Sequence, residues 1–105
     1  MKKIYSLKSQ TYFNKVINKG KKVRSKYFLL SFVSANEFKI GISVPKKLGN
    51  AVFRNYNKRI IKAIIPKLNI YNKKFHIVLI VKKDFIDFSI KEKEEILRKE
   101  IEKIK

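Results

Sequence analysis

The sequence predicts a small α+β domain in which helices pack on a mostly antiparallel sheet. Three observations predict it. Apolar residues recur at helical spacing in three segments, and they alternate or run continuously in three others, so both helices and strands are expected. The two kinds of segment are mixed along only 105 residues, enough for one domain with a modest core. We therefore expect a single sandwich, residues 1–105, with the element order α-β-β-β-α-β-α.

The first predicted element is a helix from about Ser9 to Lys19, which Gly20 would end. Its apolar residues recur at helical spacing on one side. They are Phe13, Val16 and Ile17. Residues 21–26 then form a basic link with room for a short strand.

Two longer strands are predicted before the middle of the chain. Residues 27–33 are rich in aromatic and β-branched side chains, and residues 38–44 alternate between apolar and polar ones. The connection, residues 34–36, has the composition of a turn. This short connection predicts that the two strands form a hairpin.

A helix with two contrasting faces is predicted in the middle of the chain. It begins after Gly49 and Asn50, which have the chemistry of a turn and an N-cap, and Pro66 marks its end. At about 100° per residue, one arc of its surface is apolar and is expected to be buried. This arc comprises Val52, Phe53, Tyr56, Ile60, Ala63 and Ile64. The opposite arc comprises Arg54, Asn55, Lys58 and Lys62, with Arg59 at its edge. Since no acid offsets these cations, we expect this face to bind a polyanion.

The last third of the chain supplies one strand and one helix. Residues 75–81 are apolar apart from His76, as in a strand that is covered on both faces and lies inside the sheet. Ser89 and Glu92 form a capping box for the final helix. The predicted buried stripe of this helix is Ile90, Leu97, Ile101 and Ile104.

Positive charge is concentrated in the first 83 residues. They hold 21 basic residues and one acid, a net charge of +20, whereas the remaining 22 residues hold six bases and seven acids. A field of this size predicts binding to the phosphates of a nucleic acid. Membrane binding, the competing use of basic charge, requires a large exposed apolar face, and here the apolar arcs are needed for the core.

Side-chain catalysis has few candidates. His76, the only histidine, lies in the most apolar segment, where a hydrogen-bonded structural histidine is expected rather than a general base. Asp84 and Asp87 have the spacing of helix caps rather than of a metal site. The sequence contains no cysteine, phosphate loop, signal peptide or apolar run of membrane-spanning length. We expect a cytoplasmic protein whose own side chains hold no metal and catalyse no reaction alone.

Aromatic residues are interleaved with cations in the first third of the chain. This pattern is typical of proteins that bind single-stranded nucleic acid, although most of the rings are expected in the core. Phe13, beside Lys15 and one helical turn before Ile17, is the first candidate for a ring that stacks on a base.

The segment 46–59 carries a long and specific motif. It is Lys-Lys-Leu-Gly-Asn-Ala-Val-Phe-Arg-Asn-Tyr-Asn-Lys-Arg. This segment closely resembles the bacterial ribonuclease P protein family, which has Lys-Lys, an apolar residue, Gly, Asn or Lys, Ala-Val, any residue, Arg-Asn-Arg, two residues and Lys-Arg. The resemblance extends to residues 7–13, to Gly20 and to the segments 40–44 and 75–81.

The resemblance implies a subunit that joins a catalytic RNA and helps to remove the 5′ leader from precursor tRNA, with Mg²⁺ held by the RNA performing the hydrolysis. The implied partners are that RNA and precursor tRNA, with no membrane and no stable protein partner. Contacts to the RNA subunit are implied for Lys46, Lys47, Asn50, Arg54, Asn55, Lys58, Arg59 and Lys62. Contacts to the leader are implied for Phe13, Lys15, Ile17 and Tyr27, together with the neighbouring face of the sheet. The resemblance also implies a left-handed strand-helix-strand crossover, against the usual right-handed one.

Three features depart from the family pattern. Tyr56 replaces the second arginine of Arg-Asn-Arg and lies toward the predicted apolar arc. Ile17 and Ser31 stand where the family often has aromatic residues in the leader cleft, so stacking would fall more to Phe13. Pro45 replaces a common serine, which costs little at a strand end.

Two other classes of protein share part of this pattern. A ribosomal or other structural RNA-binding protein would have the charge and the fold class, and a protein that binds duplex DNA would have the charge. The first class gives no reason for the Gly-Asn-Ala-Val-x-Arg-Asn pattern at residues 49–55. The second would bind duplex as well as single strands in a competition assay. The motif therefore favours the ribonuclease P resemblance over both.

Overall fold

The computed structural model describes residues 6–7 and 9–104, which form one four-stranded sheet with helices on both of its faces. The predicted order of the main elements is confirmed, and a short helix, α3, is added to it. The elements are α1 (Gln10–Lys19), β1 (Lys21–Arg24), β2 (Phe28–Ser34), β3 (Lys39–Ser43), α2 (Ala51–Ile64), β4 (Phe75–Val81), α3 (Lys83–Ile86) and α4 (Ile90–Glu102). Short 3₁₀ turns lie at Lys46–Leu48 and Ile65–Leu68.

The strands are arranged in the order β1-β2-β4-β3. β4 is antiparallel to β2 and parallel to β3, so the predicted interior position of residues 75–81 is confirmed. The predicted hairpin between β2 and β3 is wrong, because β4 lies between them. The reason is visible at residues 34–36. The Ala35 N–H donates to the Lys74 carbonyl at 3.0 Å, so the chain continues alongside the segment that enters β4 instead of folding back on β2.

One face of the sheet forms the hydrophobic core with α2, α3 and α4. Alternate residues of the strands point into it, as the two-residue period of a strand requires. The strands contribute Phe28, Leu30, Phe32, Ile40, Ile77, Leu79 and Val81. The helices contribute Ile61, Ile64, Phe85, Leu97 and Ile101. The core therefore places α2 and α4 on the same side of the sheet.

The final helix begins as predicted. The Ser89 Oγ accepts the Glu92 N–H at 3.3 Å and donates to the Glu92 carboxylate at 2.9 Å. The predicted burial of Ile90 is wrong, since 55% of it is exposed. Lys93 is buried instead, with its Nζ 5.6 Å from the centre of the Phe85 ring. The aliphatic stem of a lysine can cover apolar surface while its ammonium lies over an aromatic ring, so Lys93 extends the buried stripe of α4 toward its first turn.

Helix α1 lies on the opposite face of the sheet. Ser31 points to this face from β2, and its Oγ donates to the Val16 carbonyl at 2.6 Å. Gly20 permits the close approach, because a Cβ there would lie 2.6 Å from the Val16 carbonyl oxygen and 2.7 Å from the Ser31 Oγ. The C-terminal end of α1 is thereby held against β2.

The N-terminal half of α1 contacts the two strands beyond β2. The Tyr12 hydroxyl lies 2.6 Å from the Nδ1 of His76 on β4. The Phe13 ring lies over Gly41 of β3, where a Cβ would come within 2.5 Å of the ring. Helix α1 therefore crosses the sheet from β3 to β2. Among the described residues, no helix is both long enough and apolar enough to span a membrane.

Replacing Ser31 tests how firmly α1 is held to the sheet. Ser31→Ala removes a buried hydrogen bond, so the free energy of unfolding is expected to fall by about 1–2 kcal/mol in urea titrations. Ser34→Ala, at the exposed end of the same strand, is the matched control and is expected to stay within about 0.5 kcal/mol of the parent protein. Equal stability of the two variants would contradict this role of Ser31.

Candidate nucleic-acid interface

Helix α2 begins at the turn and cap that the sequence predicts. The Asn50 Oδ1 accepts the Phe53 N–H at 2.9 Å, which makes Asn50 the N-cap. The Phe53 ring folds back over Gly49, where a Cβ would lie 2.5 Å from it. The start of the helix, and with it the direction of every α2 side chain, is fixed by these two contacts.

The buried side of α2 is rotated from the predicted arc. Asn57, Ile61 and Ile64 are its buried residues, whereas 79% of Val52 and 60% of Tyr56 are exposed. The prediction that Val52 and Tyr56 face the core is therefore wrong. Asn57 explains the rotation. Its Nδ2 donates to the Phe53 carbonyl at 2.9 Å, so the amide is satisfied within the helix and can be buried in the same stripe as the two isoleucines, one turn before Ile61.

The cations of α2 remain on the outer side of the helix after this rotation. Lys62, Arg59 and Asn55 are exposed, and Arg54 and Lys58 are half-buried at the margin. The Arg54 Nε donates to the Gly49 carbonyl at 3.3 Å, which orients that guanidinium along the start of the helix. Within the described chain, Lys58, Arg59 and Lys62 form no hydrogen bond or ion pair. Their charges are therefore available to an external anion.

A pocket joins α2 to α1 across the edge strand β3. Lys58 and Lys62, one helical turn apart, line it together with Phe13 and Gly41, and its volume is about 240 Å³. It thus brings together two residues predicted to bind the RNA subunit and one predicted to bind the leader. Sequence spacing alone could not show this, because the two helices are far apart in the chain.

A larger cleft lies on the face of the sheet that α1 crosses; we call it the sheet-face cleft. Leu29 and Ile80 are cross-strand partners on the same face as Ser31, and both line the cleft. The rim is mostly cationic and the volume is about 580 Å³. The charged residues lining it are Lys26, Lys47, Lys82, Lys83 and Asp84.

The resemblance implies a leader cleft on the sheet face, but it names none of the strand residues that line the sheet-face cleft. Lys26, Leu29, Ile80 and Lys82 have no distinctive motif, and they meet only because β2 and β4 are antiparallel neighbours. Two features of the sequence could have indicated these residues. The alternation in β2 puts Leu29 on the face opposite the core, and lysines follow at the adjoining strand ends. The Lys82 Nζ donates to the Ser25 carbonyl at 2.8 Å, which joins the two strand ends.

The other predicted contact residues are distributed around these two cavities. Lys47 lines the sheet-face cleft, and Lys46, its neighbour in the sequence, is exposed. Ile17 is half-buried on the same flank of α1 as Phe13, whereas Lys15 is exposed on the opposite flank. Tyr27 packs edge-on against Phe88, with 5.4 Å between ring centres, and lines neither cavity. The structure therefore brings Phe13 and Ile17 together and leaves Lys15 and Tyr27 apart from them.

His76 has the structural environment predicted for it. Its Nδ1 is paired with the Tyr12 hydroxyl, and its Nε2 lies 3.8 Å from the Glu37 carboxylate. Burial lowers the pKa of His76, the Glu37 carboxylate opposes this in part, and Lys39 adds to the lowering. Among the residues that the structure describes, no three His, Cys, Asp or Glu side chains are grouped as a metal site would require.

Comparison with known proteins identifies the family. The model of the ribonuclease P family matches residues 1–105. The chain belongs to the ribonuclease P protein family. The ribonuclease P protein component of Mycoplasmopsis synoviae is 44% identical over 87 residues, covering 83% of this chain and 78% of the relative. That of Mycoplasmopsis pulmonis is 39% identical over 106 residues, covering 100% of this chain and 96% of the relative.

Solved structures of ribonuclease P proteins have the same fold. The protein from Staphylococcus aureus matches with a TM-score of 0.82 at 28% identity, covering 93% of each chain. The protein from Thermotoga maritima matches with a TM-score of 0.85 at 25% identity, covering 95% of this chain and 97% of that one. The predicted fold class and function are confirmed. The chain acts as the protein subunit of ribonuclease P, the endoribonuclease of tRNA processing.

The capping role of Asn50 in this ribonuclease P protein can be separated from any contact with RNA. Asn50→Ala is expected to lower the free energy of unfolding by about 1 kcal/mol, because the Phe53 N–H loses its acceptor, and Asn50→Ser is expected to restore most of it. Asn55→Ala is the matched control, since Asn55 is exposed within the helix. Denaturant titrations of the free protein give the measurement. Identical losses for Asn50→Ala and Asn55→Ala would show that the cap is unimportant.

The lowered pKa of His76 predicts a pH dependence of stability. The unfolded chain binds a proton at the ordinary histidine pKa of about 6.5 and the folded chain binds it less tightly, so stability is fully present above that pH and falls as pH decreases through it. The free energy of unfolding is expected to decrease more between about pH 7.5 and pH 5.5 for the parent protein than for His76→Gln. The variant keeps every carboxylate, so their titration cancels in the comparison. A parallel pH dependence of the two proteins would contradict the prediction.

Proposed function

We propose that this subunit binds the catalytic RNA of ribonuclease P through α2 and the turn before it, and holds the 5′ leader of precursor tRNA along α1 and the sheet-face cleft. The observation that carries the proposal is the outer side of α2. Its cations have no acidic partner anywhere in Ala51–Ile64, and the charged groups of three of them form no hydrogen bond or ion pair within residues 6–7 and 9–104.

The α2 surface suits a large, folded RNA. Arg54, Lys58 and Lys62 follow one another at one-turn intervals and span about 12 Å along the helix. Because α2 is packed through Ile61 and Ile64, these charges are held in place on a rigid element, which lowers the entropy lost on binding. Lys46 and Lys47 extend the positive surface to the preceding turn. Neutralising phosphates here would release their counterions and favour assembly.

The sheet-face cleft and Phe13 suit a single strand. Leu29 and Ile80 give the cleft an apolar floor without hydrogen-bonding side chains, and the lysines on its rim can follow a phosphate backbone. Phe13 and Ile17 lie beside one another on α1, where a base can pack against them. This site would hold leaders of differing sequence, because bases that pack on the apolar floor meet no hydrogen-bonding side chain there.

The chemical step is assigned to the RNA subunit and to Mg²⁺ bound there. The side chains that line these two surfaces are cations, amides, hydroxyls and apolar groups, with a single carboxylate, Asp84, and no histidine. One rim carboxylate without a second acid or a histidine beside it is a poor basis for catalysis by the protein. The protein would contribute by reducing repulsion between the two RNAs and by positioning the leader. Acting on precursor tRNA in a bacterium, the holoenzyme would work in the cytoplasm.

Reconstitution with the cognate catalytic RNA tests this function. The parent protein is expected to promote cleavage of precursor tRNA at a Mg²⁺ concentration too low for the RNA alone. Arg59→Ala combined with Lys62→Ala should weaken RNA binding and reduce the log–log salt dependence by about 1.5, the sum of two lost phosphate contacts. Both residues are exposed, so thermal unfolding of the free protein should not change.

Lys91→Ala combined with Lys99→Ala is the matched control. It removes the same charge from exposed positions on the acidic helix α4 and should bind RNA as the parent protein does. Equal weakening by the two double substitutions would overturn the assignment to α2, because it would show that only the total charge matters. Absence of any stimulation of leader cleavage would overturn the function as a whole.

A further inference from the structure

Tyr56 is exposed on α2 without any structural function of its own. The residue is 60% exposed, and Val52, one helical turn earlier, is 79% exposed. In the described part of the chain only one other large apolar residue, Ile90 on α4, is comparably exposed. A single exposed apolar residue is common on a protein surface. Two adjacent ones, on a helix that otherwise carries cations, form a distinct patch.

The Tyr56 ring has no partner within the described residues. No hydrogen bond or ring contact involves it, whereas Tyr12 bonds to His76 and Tyr27 packs on Phe88. The ring therefore adds little to folding. It is free to contact another molecule.

The surroundings of Tyr56 favour a nucleic acid as that molecule. Arg59 lies three residues ahead and Asn55 is adjacent, both exposed, and α2 contains no acid. A base offers a flat face to an aromatic ring while its phosphate offers charge to a neighbouring cation. A membrane would require a wider apolar face than Val52 and Tyr56 provide.

We propose that Tyr56 stacks on an unpaired base of the ribonuclease P RNA, with Val52 packed beside it and Arg59 on the adjoining phosphate. This inference rests on the proposed function and adds to it a contact that is not electrostatic. The α2 surface would then distinguish a folded RNA that presents an unstacked base from a regular duplex, in which every base is already stacked.

The test measures binding of the cognate RNA subunit to variants of Tyr56 over a series of salt concentrations. Tyr56→Ala is expected to weaken binding by about five- to a hundredfold at every salt concentration without changing the log–log slope, because stacking releases no counterions. Tyr56→Phe should keep the parent affinity, and Tyr56→Leu should not restore it. Ile90→Ala, which removes an exposed apolar side chain from α4, should have no effect.

Three results would overturn the inference. Unchanged binding by Tyr56→Ala would remove the contact, full affinity of Tyr56→Leu would show apolar packing in place of stacking, and a decrease of about one in the salt slope would show a phosphate contact. Thermal unfolding of each variant confirms that the fold is retained. If the parent protein itself fails to bind the RNA subunit, the proposed function is overturned; if it binds and only these comparisons fail, that function stands and the role of Tyr56 does not.

Discussion

Both candidate RNA surfaces depend on the position of β4 between β2 and β3. β4 is paired along both of its edges, and its centre, Ile77–Leu79, is buried on both faces, with α1 on one side and the main core on the other. Its pairing with β2 brings Leu29 beside Ile80 and so forms the floor of the sheet-face cleft. Its parallel pairing with β3 requires a crossover, and α2 is that crossover. The cation-bearing helix and the cleft are thus held by one strand, and neither could move independently of it.

The secondary structure of this chain could be predicted from local pattern, but the strand pairing could not. Helices α1, α2 and α4 and each long strand follow from their apolar period, and the predicted caps at Asn50 and Ser89 are present, whereas the short helix α3 was not predicted. The error at the β2–β3 connection arose because a turn-like composition does not determine which strand is the neighbour. The apolar content of residues 75–81 determines the strand order, because this segment is stabilised by pairing on both edges and so lies between β2 and β3. The residues that line the sheet-face cleft could not be named from the sequence for the same reason, since they meet only through that pairing.

The rotation of α2 shows a second limit of sequence patterns. The apolar pattern predicts that Val52 and Tyr56 are buried and gives no sign that Asn57 is. The Asn57 amide is satisfied by the Phe53 carbonyl and is therefore buried at low cost. The cations were nevertheless predicted on the outer side, because charged groups that lack partners stay near water whichever way a helix turns. The exposed position of charged residues was thus easier to predict than that of aromatic or apolar residues, which can face either the core or the solvent.

The distribution of charge links folding of the subunit to its assembly with RNA. The ion pairs among the described residues involve Glu37, Glu95 and Glu100, and none of them reaches α2 or the rim of the sheet-face cleft. With a net charge of +20 in residues 1–83, the folded state brings like charges closer together than the unfolded chain does. A polyanion that binds only the folded state removes this repulsion and stabilises the fold by mass action. The charge that destabilises the free protein is therefore the same charge that would hold it on RNA. An acid added near α2 would stabilise the free protein and weaken its binding to RNA.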